Sequence, residues 1–208
     1  RMKGAEALSI LGDKKALPEL LKAFKEKEIS ESNVQGQKII FYEPRVWAGD
    51  AYSRITDDAA GADEFISAAA EFVKSGKNYI ASAREKAKST VEARNKNSKL
   101  DAASLEKQIE AEAKIDPNYS STQLSVKMVE RFIKRAETVK ECKSDIGCYA
   151  TKLSDKEPAV VEKAIYMIGF AGKMGDYKDK LAPHFMHSEA FVRDALTTAI
   201  LKTTDKGY

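Results

Sequence analysis

Histidine, cysteine, tryptophan and proline are all scarce, with two, two, one and five copies in 208 residues. So few soft ligands leave little for a metal centre. His184 and His187 fall in a turn between helices, and the spacing of Cys142 and Cys148 lies outside the usual zinc patterns. No His-Glu dipeptide occurs, and there is no glycine-rich phosphate loop, nucleophile elbow or paired Cys and His of a catalytic triad. The chain therefore reads as a non-enzyme that needs no cofactor or metal. Charge of one sign is also missing: 35 basic residues against 32 acidic ones leave +3, too little for a dedicated nucleic-acid surface. No apolar run approaches the roughly 18 residues of a membrane span, and no signal peptide opens the sequence. Since Arg1 already stands at the edge of a helical stretch (Met2 to Leu11), the sequence reads as a mature or truncated chain, so the missing signal decides little about location.

What remains is rich in Ala, Leu, Lys and Glu, a composition that favours helices over strands. Internal similarity organises it. Val160, Ala164 and Ile168 align with Val192, Leu196 and Ile200, and Tyr149, Ala150 and Leu153 with Leu181, Ala182 and Phe185. A 32-residue helix pair thus repeats. Further copies of its second helix stand at residues 1–13, opening on Arg1, and 45–55, opening on Arg45, where the last copy has Arg193. The Arg start, the small residue beyond it, the leucine and the closing Gly-Asp resemble the short HEAT-like repeats of phycobilisome-lyase-type proteins. Ala16 to Leu21 and Leu181 to Met186 resemble that family's first helix, proline included. The resemblance covers residues 1–27, 43–56 and 145–203; Val161 replaces the expected Arg, and residues 57–143 depart from the pattern. It implies an all-α, right-handed α-solenoid over residues 1–208 as one domain, and arginines that tie successive repeats through acidic neighbours. Helix faces too broad for one partner to cover also require such stacking.

The middle reads as helical. Asp63 to Lys74 carries Phe65, Ile66, Ala69, Phe72 and Val73 on one face, and Ser75-Gly76 is expected to stop it. Residues 77–117 read as a long helical hairpin or arm, or equally as ordinary solenoid helices. Ser121 or Thr122 would cap the next helix, which buries Val126, Val129, Phe132, Ile133 and Val139.

Residues 28–42 form an insertion with the only strongly β-prone run, Ile39 to Tyr42, so strand is expected at most as a short hairpin there. Phe41, Tyr42 and Trp47 are candidates for an aromatic recognition patch, or for a cap on the solenoid end. Trp47 aligns with Lys163 and Ala195, positions that need not be buried. With Arg45 and Arg193 these aromatics form the expected protein-binding set. Within one helix Cys142 and Cys148 would be about 9 Å apart, too far to bridge. A helix end at Lys143 to Gly147 would bring them together, so disulfide, free thiols and metal ligation all stay open, with the disulfide adopted. HEAT-like proteins of some bacterial envelopes carry a similar pair, which implies a periplasmic or secreted protein if it is oxidised and a cytoplasmic one otherwise. The expected function is a non-catalytic scaffold for a protein partner. Nucleic-acid binding through Lys127, Arg131, Lys134 and Arg135 is the alternative, and a lyase-like or ligand-handling role would need a single apolar pocket.

Overall fold

The computed structural model describes residues 2–26, 30–34, 37–41, 43–96 and 101–204. Ten α-helices follow in chain order: α1 Met2–Leu11, α2 Leu17–Lys25, α3 Glu43–Ile55, α4 Ala59–Arg94, α5 Ala102–Ala113, α6 Tyr119–Cys142, α7 Ile146–Lys152, α8 Pro158–Phe170, α9 Lys178–Leu181 and α10 Ala190–Thr204. The fold is all-α apart from one small element. Between α2 and α3, β1 Ser30–Val34 and β2 Gln37–Phe41 pair antiparallel, with Ser30 opposite Phe41 and Val34 opposite Gln37. Side-chain caps start several helices: Asp58 accepts from Ala60 and Gly61 N–H before α4, Asp101 from Ser104 before α5, and Asp145 from Gly147 before α7. Each satisfies amide groups that the first helical turn leaves without partners.

Two expected boundaries move. Gly76 does not end a helix, because α4 runs unbroken for 36 residues. It lies where α6 crosses: a Cβ on Gly76 would stand 2.4 Å from Val126 Cγ2. Glycine is needed there for close approach. Further on, Ser121 and Thr122 lie inside α6, which starts at Tyr119, and Ser121 Oγ donates to the Asn118 carbonyl at 3.1 Å.

Apolar packing divides into two main cores. The first joins α1, α2, α3, the first half of α4 and most of α6 around Phe24, Tyr52, Phe65, Phe72 and Phe132. Its aromatic rings pack closely, Phe24 tilted against Phe65 at 4.9 Å and Tyr52 stacked on Phe65 at 5.0 Å. The second joins α7, α8, α9, α10 and the end of α6 around Tyr149, Ile165, Ile168 and Leu196. A smaller cluster, Ala87, Val91, Ile109, Ala113 and Tyr119, holds α5 against the far half of α4, where Arg84 also pairs with Glu106 and Glu110.

In the second core α8 packs on α10, and Gly169 leaves room for Ala199, 2.5 Å from where a Cβ would sit. Among the neighbouring helices, α1 packs on α3, α3 touches α8, and α10 touches α1. The last pair departs from the expected alignment. Leu153 is buried, but its counterpart Phe185 is exposed. The physical reason lies in the backbone: α9 has a single turn, and Ala182–Met186 continue as 3-10 helix. Three residues per turn do not preserve the face that 3.6 per turn established.

Candidate functional site

Between the two cores lies a layer of buried charge. Asp50 and Arg54 stand one turn apart on α3, Arg131 and Arg135 one turn apart on α6, and Glu162 and Lys163 are adjacent on α8. Arg135 is fully buried. Its Nη1 donates to Glu162 Oε1 at 2.9 Å, its Nη2 donates to Asp50 Oδ1, and the Phe132 ring lies 4.8 Å beneath its guanidinium. Arg54 Nη2 pairs with Asp50 Oδ2 at 2.7 Å while its guanidinium faces the Tyr166 ring at 5.4 Å. Arg131 stands further off, 3.6 Å from Asp50 and 3.7 Å from Glu162.

Lys163 does something different. Its buried ammonium donates to the carbonyls of Ser53 (3.1 Å), Arg54 (2.7 Å) and Thr56 (2.6 Å). These groups close the C-terminus of α3, where intrahelical donors run out and the helix dipole is negative. A lysine from α8 thus caps α3 across the junction of the two cores.

Burial pushes the Asp50 carboxyl up, yet the guanidiniums of Arg135, Arg54 and Arg131 together outweigh it and hold Asp50 below its ordinary value. Glu162 moves the other way: burial raises it, and Arg135, Arg131 and Arg54 offset only part of the penalty. For Lys163, burial and the charge of Arg135 lower the amine well below its ordinary value. The three carbonyl acceptors favour the ammonium form and work against that shift. Such an arrangement locks α3, α6 and α8 together.

The residues expected to bind a partner are distributed differently. Tyr42 and the side chain of Phe41 lie outside the described residues; the backbone of Phe41 ends β2. Trp47 is half-buried against the first core. Lys163 and Ala195, with which it aligns, are by contrast completely enclosed. Arg45 Nε donates to the Phe24 carbonyl at 2.9 Å, with its guanidinium 5.2 Å from the Phe72 ring. Arg193 Nη1 donates to the carbonyls of His187 (2.5 Å) and Ser188 (3.0 Å). Each of the two aligned arginines thus fastens its helix to backbone earlier in the chain, Arg45 to the end of α2 and Arg193 to the segment before α10. Both contacts are to backbone carbonyls.

Cys142 and Cys148 are joined, with Cα atoms 5.4 Å apart. Lys143, at a φ of 51°, turns the chain between α6 and α7 and makes the approach possible. Residues His184 and His187 have ring centroids 5.8 Å apart, and His187 Nδ1 accepts from the Glu189 N–H. Among the described residues no group of three His, Cys, Asp or Glu is placed to hold a metal ion, and no helix is long and apolar enough to cross a membrane.

The basic stripe proposed for nucleic acid does not form one surface. Arg135 is spent on two carboxylates inside the protein, Arg131 is largely enclosed, and Lys134 pairs with Glu137 at 2.8 Å. What α6 offers to solvent is a groove of about 700 Å³ bounded by the N-terminal ends of α8 and α10 and floored by Leu124, Met128, Ile133, Pro158 and Phe191. A second open groove lies along α2, α3 and α4, lined by Leu17, Leu21 and Tyr52. Sequence reasoning missed both the charge layer and the groove. One signal was present: Arg135 sits on the apolar stripe of α6 between Phe132 and Val139, a position where an arginine needs a buried partner. No protein-family model, curated protein or solved structure matches the chain.

Proposed function

We propose that the chain is a HEAT-like helical-repeat scaffold that binds another protein and carries no catalytic activity of its own. The observation that carries this reading is the placement of polarity. Charged groups suited to chemistry are buried and consumed in joining α3, α6 and α8, while apolar side chains such as Leu124 line an open groove across α6, α8 and α10. An apolar surface of that kind on a soluble chain is typical of a docking face. The arginine tie that recurs in α3 and α10 supports the repeat assignment. The Cys142–Cys148 bond supports an oxidising compartment, periplasmic or extracellular.

The test is chemical crosslinking of the tagged chain in the cells that make it, followed by identification of the captured proteins. The reading expects one protein enriched reproducibly and captured again by the purified chain. It fails if the purified chain captures nothing, or if a small-molecule turnover assay reports activity that survives loss of every captured protein.

A further inference from the structure

The charge layer does not balance. Arg54, Arg131, Arg135 and Lys163 face two carboxylates, Asp50 and Glu162. Arg135 takes a hydrogen bond to each acid, Arg54 takes Asp50 at 2.7 Å, and Lys163 takes three carbonyls. Arg131 is held most loosely: its ion contacts to Asp50 and Glu162 are 3.6 and 3.7 Å long, and its buried Nε, like those of Arg54 and Arg135, has no hydrogen-bond partner. This arginine is also the one that reaches the groove across α6, α8 and α10, where its guanidinium lies 4.4 Å from the Phe191 ring. Burial and the neighbouring charge of Arg135 lower its affinity for the proton, the mark of a cation short of negative partners.

Around it the rim is mixed. Glu130 is occupied by Lys77 at 2.7 Å, Glu157 caps its own helix at the Ala159 N–H, and Lys134 pairs with Glu137. Lys127 and Glu189 also line the rim, and Arg131 holds its two acids only at the longer distances. The floor beneath is apolar, with Leu124 61% exposed at its edge. The geometry points to a docking groove for a segment of a partner protein that presents one acidic side chain between apolar ones, the carboxylate seated on Arg131 and Lys127 and the apolar side chains on Leu124, Met128 and Phe191. It rests on the protein-binding reading and gives that reading a surface and a partner chemistry. A nucleic-acid backbone fits poorly, because a continuous row of phosphates would meet Glu130, Glu157 and Glu189 and cover apolar side chains that gain nothing from it. An isolated carboxylate gains a charge-assisted contact in a partly dry site.

The experiment uses the full chain and three fluorescent peptides of identical apolar sequence with a central Glu, Gln or Lys. Anisotropy should show the Glu peptide binding at least about tenfold more tightly than the Gln peptide, and the Lys peptide weaker still. Because Arg131 also contacts the buried acids, the variants are Lys127→Glu and Leu124→Ser, both solvent-facing; each should weaken the Glu peptide about tenfold with an unchanged melting temperature. Equal binding of the Glu and Gln peptides, no binding of the Glu peptide, indifference to both variants, or displacement of the Glu peptide by duplex DNA would each overturn the assignment. A photocrosslinking residue at position 124 and another at position 21, in the groove along α2, α3 and α4, separate the two levels of failure. Protein adducts at 21 alone remove this groove and leave the protein-binding reading standing; adducts at neither remove both.

Discussion

At the scale of single residues, the decisive feature is that Arg135 is buried with both of its acids. Breaking a buried ion pair from one side leaves an uncompensated charge, whereas replacing the whole group with apolar residues is often neutral. Arg135→Leu should therefore cost about 3–5 kcal/mol in urea unfolding. The double variant Arg135→Leu, Glu162→Leu, which leaves Asp50 to Arg54 and Arg131, should recover part of that loss; a double variant less stable than the single one contradicts this account. The same layer sets a pH dependence. Asp50 is held below its ordinary value, so on unfolding it takes up a proton in acid. Its contribution is fully present above the ordinary carboxylate range and is lost as pH falls through the depressed folded value. Glu162, raised by burial, has the opposite sign: its cost is absent in acid and appears as pH rises from the ordinary value through the raised one. Melting temperatures followed through acid pH should thus fall less steeply in Asp50→Asn than in the parent, and Glu162→Gln should lose the opposing component and fall more steeply.

At the scale of elements, the crossing of α4 over α6 is set by Gly76. In an ordinary exposed helix, Gly→Ala stabilises by up to about 1 kcal/mol. Here the added methyl meets Val126 at 2.4 Å, and overpacking of this kind costs about 1–3 kcal/mol. Gly76→Ala should lower the melting temperature, and Val126→Ala in the same chain should remove the penalty. The reverse sign for the single variant would show that α6 moves aside freely. The disulfide also belongs to this scale, because it ties the end of α6 to the start of α7. Its closed loop is very short, so the loop-entropy contribution is only about 2–3 kcal/mol. Reduction should lower the melting temperature modestly and leave the helical circular dichroism intact. Rapid labelling of both thiols in freshly isolated protein would contradict the bond and, with it, the oxidising compartment.

Across the whole molecule, α6 is the common member. It contributes Val126, Val129 and Phe132 to the first core, Cys142 to the second, and both arginines to the layer between them. By contrast, α5 packs mainly on α4 through Ile109 and Ala113, with exposed ion pairs around it. Local opening follows the density of buried contacts. Amide hydrogen exchange should therefore be slowest in the middle of α6, near the global unfolding free energy, and fastest among the long helices in α5. Uniform protection of α5 and α6 would mean that the two cores and the hairpin open as one unit.

How much of this was legible follows from which forces are local. Helical character, the 32-residue echo between α8 and α10, the apolar face of α6 and the hairpin in residues 28–42 come from periodicity and propensity, which act within a few residues. The arginines that open α3 and α10 were visible too, although the contacts they make to backbone carbonyls earlier in the chain were not. Three-dimensional packing alone decided the rest. Gly76 looks the same in sequence whether it ends a helix or admits a neighbour, and only the position of Val126 distinguishes them. Asp50, Arg135 and Glu162 are spread over more than a hundred residues, and their burial depends on three helices meeting at one level. The groove beside Arg131 exists because α6 passes the ends of α8 and α10. The sequence by itself determined which segments are helical and which faces are apolar, because hydrogen bonding and hydrophobic periodicity are properties of the local chain. Tertiary structure decided which charges are buried and which apolar side chains stay open to a partner, because both depend on what the rest of the chain leaves uncovered.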